Sequence, residues 1–212
     1  MNRKMLFVSS SMLLAVFGLS TIAGAVPHEK GADVNLRNDM RKLWEDHVTW
    51  TRLYIVSALA GLPDKDATAQ RLLQNQTDIG NAVKPFYGDA AGEKLTALLK
   101  DHILIATEVI DAAKAGDTAK KEDASKRWNA NADEISSFLS NANPKNWPAA
   151  DMQSMMREHL ELTTAEVVAR LNKDWKADVA GYEKVHQQIL KMADMLSSGI
   201  IKQFPDKFKS TT

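Results

Sequence analysis

The stretch LWEDHVTWTR, Leu43 to Arg52, recurs in weaker form as LLKDHILIAT, Leu98 to Thr107, and as MMREHLELTT, Met155 to Thr164. Each reads as two apolar residues, a charged residue, an acid and then His, and His47, His102 and His159 stand 55 and 57 positions apart. Self-similarity at such a period marks a supersecondary unit copied along the chain, and it narrows the fold more than any other feature. Around His47, the positions at −4, −3, +3, +4 and +7 hold Leu43, Trp44, Trp50, Thr51 and Tyr54. These form a single face of a helix. The same face is Leu98, Leu99, Ile105, Ala106 and Val109 around His102, and Met155, Met156, Leu162, Thr163 and Glu166 around His159.

Breaks between the periodic stretches predict helices over about 38–60, 66–84, 90–115, 118–139, 149–171 and 176–203. Gly61 with Pro63 and Asp64, Pro85 with Gly88, Gly116 with Asp117, and Pro144 with Pro148 punctuate the first four junctions. Gly suits the end of a helix, and Asp the start of the next, with Asp64 expected to cap the second. The junction at Asn172 to Asp174 has neither Gly nor Pro and is placed by the repeat period. On this reading all six Pro residues lie outside helix interiors, and no stretch alternates like a strand. The fold class is all-α, a six-helix bundle built from three tandem helical hairpins of about 55 residues.

The bundle occupies only part of the chain. Residues 1–25 read as a signal peptide: Arg3 and Lys4, an apolar run from Met5 to Ile22, and Ala23-Gly24-Ala25 as the cleavage site. An uncleaved anchor is the rival, because the run is nearly long enough to span, but Ser9 to Ser11 interrupt it. Residues 26–36 read as a flexible lead-in, with His28 at the surface, 37–205 as the single helical domain, and 206–212 as a polar tail. The expected destination is the periplasm or the medium. There is no Cys, hence no disulfide, lipid-modified Cys or Cys nucleophile. Removing the leader's two basic residues turns 27 basic against 27 acidic into 25 against 27, with no bias toward nucleic acid or anionic lipid.

Hairpin geometry sets residues equidistant from a turn at one height. His47 then lies level with Asp78, His102 with Asn131 and one turn from Glu134, and His159 with Gln187, beside His186. The expected feature is a polar layer of His47, His102 and His159 facing Asp78, Asn131, Glu134 and His186. Buried, such groups must pair with one another or with a ligand. Either each His fixes helix register, or the set binds zinc, copper, iron or another small ligand through imidazole and carboxylate. Glu183 and His186 form one E-x-x-H, but a di-iron bundle needs two and further Glu. Met152, Met155, Met156, Met192 and Met195 suit copper as well as core filling. Trp44 and Trp50 flank His47 and suit a pocket wall or a haem face, although C-x-x-C-H is missing. Phosphate-loop, dinucleotide, H-E-x-x-H and G-x-S-x-G patterns are missing too.

LWEDHVTWTR, RLLQNQTDIGNAVKPFYG and GIIKQFPDKF together resemble a family of small, mostly helical bacterial proteins, some of which carry transferase or kinase labels. The resemblance spans nearly all of the chain after the leader and implies the helical fold. The sequence thus predicts an exported, non-enzymatic bundle that binds a metal or small ligand. The alternative is an envelope or matrix component whose partner is another protein.

Overall fold

The helices that carry the repeated His residues all stop in the same way. The N–H of Gly61 returns to Ala58 and that of Leu62 to Ser57. Gly116 and Asp117 do the same onto Ala113 and Ala112, and Lys173 and Asp174 onto Arg170 and Ala169. This closure satisfies the last carbonyls of a helix and turns on one residue in the left-handed region. That residue has φ of 67° at Gly61, 69° at Gly116 and 58° at Lys173. Lys173 adopts against side-chain sterics what Gly adopts readily, so the third stop carries no glycine signal in the sequence. Each pivot follows its His by 14 residues. At about 1.5 Å per residue, each ring therefore sits the same distance, about 21 Å, back from its own stop.

The computed structural model describes residues 31–209. The leader at 1–25, His28 with the rest of 26–30, and 210–212 lie outside the described residues. The helices are α1 (Ala32–Ala60), α2 (Lys65–Tyr87), α3 (Asp89–Ala115), α4 (Thr118–Ala142), α5 (Ala149–Leu171) and α6 (Trp175–Gln203), followed by a 3-10 turn, Pro205–Phe208. The first helix begins earlier than the sequence suggested, because Leu36 and Met40 have a core to enter. Pro85 corrects the expectation that every Pro lies outside a helix. It sits within α2, two residues from its last residue, where a missing N–H breaks only one terminal bond. Asp64 makes no side-chain cap; its carbonyl accepts the N–H and hydroxyl of Thr68 instead. Asp117 and Asp174 do cap, accepting from Lys120 and Ala177. Beyond α6 the chain folds back, with Phe208 stacked on Phe86 at 5.8 Å between ring centres.

Each helix packs on the next, and α6 returns to α1, so the six form a continuous ring. The seam between α2 and α3 is as close as that between α3 and α4. Gly80 and Gly92 permit it, since a Cβ on either would come within 2.6 Å of the other's carbonyl oxygen. In the link after α4, Trp147 is buried and fills the notch left by Gly199 on α6. Two apolar clusters meet inside the ring. The larger includes Met40, Leu98, Ile135, Met156 and Ile189, and the smaller Tyr54, Ile55, Ile103, Ile110 and Val167. Residues of both clusters line one space together with the repeated His residues.

Candidate functional site

His47 on α1, His102 on α3 and His159 on α5 are each at most 4% exposed. Their rings adjoin: centroids of His47 and His159 are 5.7 Å apart, and those of His102 and His159 are 6.5 Å apart. The expected layer of His exists, but side-chain amides rather than carboxylates surround it. Asn75 donates to the carbonyl of Leu43 at 3.0 Å, Asn131 to that of Leu98 at 3.1 Å, and Gln188 to that of Met155 at 2.9 Å. Each acceptor lies four residues before a repeated His, so one bond pattern occurs three times and sets the height of every even helix against its odd neighbour.

The same amides orient the rings. Asn131 uses its NH2 on Leu98, so its oxygen faces His102 Nδ1 at 2.8 Å and must accept. The indole N–H of Trp128 donates to His102 Nε2 at 3.1 Å. Indole is only a donor, so His102 is neutral, protonated on Nδ1, with both ring nitrogens satisfied. Gln188 faces His159 and Gln76 faces His47. Their NH2 groups are likewise engaged, Gln188 on Met155 and Gln76 on Leu72 at 2.7 Å. Neither pair closes to a hydrogen bond: His47 Nδ1, His159 Nδ1, Gln76 Oε1 and Gln188 Oε1 are sealed from solvent without partners, as is Trp44 Nε1. A proton on Nδ1 of His47 and His159 gives each amide oxygen the donor it lacks. With that proton all three rings would share one tautomer, with the lone pair on Nε2.

Burial is the main cause that lowers all three His pKa values, His102 to about 3 and His159 to about 4, with His47 also well below 6.5. A charge on His159 lowers His47 and His102 further, and one on His102 adds to the effect at His47. The rings are therefore neutral at any ordinary pH.

Above the rings opens a cavity of about 110 Å³ between α1, α3, α4 and α5. Its walls are mainly Ile103, Ala106, Val109, Ile110 and Val167, and Lys121, Ser125 and Thr164 also line it. The Nε2 atoms of His47 and His159 have no hydrogen-bond partner among the described residues and are not sealed like their Nδ1 atoms, so they face this space. Thr51 and Thr163 also line it, and their hydroxyl protons go back to the carbonyls of His47 and His159, both at 2.8 Å. The polar groups at the base of the cavity are consequently all acceptors.

The other sequence candidates lie elsewhere. Asp78 pairs with Gln74 and Arg71 at the surface, Glu134 is exposed, and His186 reaches out to Glu45 at 3.0 Å. Among the described residues, no group of three or more His, Cys, Asp or Glu has the arrangement to hold a metal ion. His159, Thr163 and Glu166 share a face but form no catalytic trio. Thr163 donates to its own helix, and Glu166 accepts from Arg52 on α1.

The Glu166 contact belongs to a buried ion network that sequence reasoning missed. Arg52 also holds both carboxylate oxygens of Asp178 on α6, and Arg170 adds a 2.8 Å bond to the same group. Glu166 and Asp178 are each 1% exposed. Burial raises the Glu166 pKa against the opposing pull of Arg52, whereas the hydrogen bond from Arg52 lowers that of Asp178. The amides were missed in part as well, although Asn75, Asn131 and Gln188 stand 56 and 57 positions apart, nearly the period of the His residues.

No known protein family, curated protein or solved structure matches the chain. No helix among the described residues is long and apolar enough to cross a membrane.

Proposed function

We propose that this is an exported, non-enzymatic binding protein that takes a small uncharged ligand into the cavity above His47 and His159. The observation that carries the reading is the pair of Nε2 lone pairs, unpartnered at the base of a largely apolar enclosure. Ligand sites combine apolar walls with a few convergent polar groups in this way. The cavity is small, since an engineered apolar cavity of ~150 Å³ takes up benzene. A divalent metal fits the donor set poorly. Among the described residues no carboxylate reaches the layer to offset its charge, and one of the three imidazoles already uses both nitrogens. Hydrolytic or transfer chemistry would need an activated nucleophile, and the hydroxyl protons of Thr51 and Thr163 go to carbonyls of their own helices rather than to a base.

An architectural reading is favoured by the three amide–carbonyl bonds, which lock helix register whether or not a ligand enters. The two readings separate on one experiment. With 15N-labelled histidine, long-range imidazole spectra report each ring's tautomer, and a panel of single-ring compounds is titrated in. Saturable shifts at His47 and His159 with His102 unmoved support binding. A panel that moves none of the three signals leaves the layer architectural.

A further inference from the structure

The structure supplies a pattern for the ligand in its own side chains. At His102, the third member of the layer, Nε2 is satisfied by a flat aromatic ring bearing an N–H, the indole of Trp128, with ring centroids 5.3 Å apart. Trp128 lies three residues before Asn131. The residues three before Asn75 and Gln188, the other two amides of the pattern, are Leu72 and Val185. Both are buried and neither can donate a hydrogen bond. His47 and His159 therefore keep the acceptor that His102 has filled, and they keep it facing the cavity.

Resting on the reading of that cavity as a binding site, we propose that its ligand is an uncharged single-ring aromatic carrying an O–H or N–H donor, which occupies toward His47 and His159 the place that Trp128 occupies toward His102. Every other property of the enclosure agrees. The base offers acceptors only, because Thr51 and Thr163 direct their hydroxyl protons to their own helices. The walls are aliphatic on α3 and α5, which suits a ring face. Among the described residues no carboxylate lines the space to attract a cation, and the lone pairs at its base repel an anion; the one cation on its lining, Lys121, is an exposed side chain. The volume of about 110 Å³, below the ~150 Å³ that takes up benzene, limits the ligand to a single ring at most.

The test compares phenol with toluene, which has the same shape and no donor, and with zinc and silver ions, each titrated into the 15N-histidine-labelled protein. Toluene is the more hydrophobic of the two rings, so preference for phenol isolates the hydrogen bond. Phenol is expected to bind at least tenfold more tightly, to shift Nε2 of His47 or His159, and to leave His102 unmoved. Ala106→Leu, which adds bulk to the cavity wall while leaving His47 and His159 in place, is expected to abolish binding of both rings. His47→Leu or His159→Leu, whichever removes the ring whose Nε2 signal shifts, is expected to bring phenol down toward the affinity of toluene, which preserves the test should Ala106→Leu not fold. Equal affinity for phenol and toluene overturns the donor claim and leaves the cavity a binding site. Zinc or silver moving the His signals where phenol does not overturns the claim in favour of a metal. Failure of every probe removes both the donor claim and the binding reading beneath it.

Discussion

Three neutral imidazoles in an apolar interior make the fold sensitive to acid. Below pH 6.5 an unfolded His takes up a proton, while the buried rings stay neutral down to about 4 at His159 and about 3 at His102. The unfolded chain thus binds more protons in that window, and stability falls as pH is lowered through it, by up to about 1.4 kcal/mol per pH unit for each ring. Urea unfolding midpoints should drop steeply between pH 6.5 and 5. His159→Phe should reduce the slope by about one proton; a slope unchanged in the variant would mean that His159 protonates in the folded state. These rings were legible in the sequence because each sits at the same point of a repeated face. Of their partners, Asn131 was legible outright, level with His102 and bonded to it, whereas the other two were legible in height but not in rotation. Gln76 and Gln188 lie two residues from the expected Asp78 and His186, a small error along the axis but about 200° around a helix with 100° per residue. The carboxylate and the imidazole expected in the layer accordingly point to the surface, and the neighbouring amides point in.

Helix ends and helix seams carry the next set of consequences. The stops at Gly61 and Gly116 were readable as glycines, whereas the stop at Lys173 has the same backbone and no residue to announce it. Because Lys173 is exposed and makes its closure through main-chain bonds alone, Lys173→Gly should stabilise the protein by about 1 kcal/mol, the cost of a side chain in the left-handed region. Calorimetry or urea unfolding would show this as a raised midpoint; a lowered one would indicate that the side chain contributes contacts of its own. At the seam between α2 and α3 the opposite change is harmful. Alanine is preferred over glycine in a helix by about 1 kcal/mol. Yet a Cβ on Gly80 would lie 1.9 Å from Thr96 Oγ1 and 2.6 Å from the carbonyl of Gly92, and backbone cannot yield as a side chain can. Gly80→Ala should therefore cost about 1–3 kcal/mol net, as overpacking of a tight interior does. Glycine at such a place reads from sequence as a weak point in the helix, since only the neighbouring helix reveals why it is there.

The ring as a whole closes where α6 returns to α1, and two kinds of ion pair hold that closure. Arg41 grips both oxygens of Asp194 at 2.7 Å, but the side chains are 50% and 42% exposed. Water competes for both partners there, so Arg41→Met should change stability by less than about 1 kcal/mol. Arg52 differs in its surroundings more than in its geometry: its partners Glu166 and Asp178 have side chains only 2% exposed, and they belong to α5 and α6. One guanidinium on α1 thus compensates two buried carboxylates on two other helices. Arg52→Met would remove the ion pair that Glu166 makes and leave Asp178 bonded to Arg170. A loss of about 3 kcal/mol or more is expected, since removing one member of a buried pair strands the charge that remains. Glu166 would then relieve the cost by taking up a proton, its pKa being raised by burial already. The variant should accordingly recover part of its deficit relative to wild type as pH falls toward 5, and Arg52→Met/Glu166→Gln should show no such recovery. Equal losses from Arg41→Met and Arg52→Met would place the closure of the ring in its apolar packing and not in the buried network.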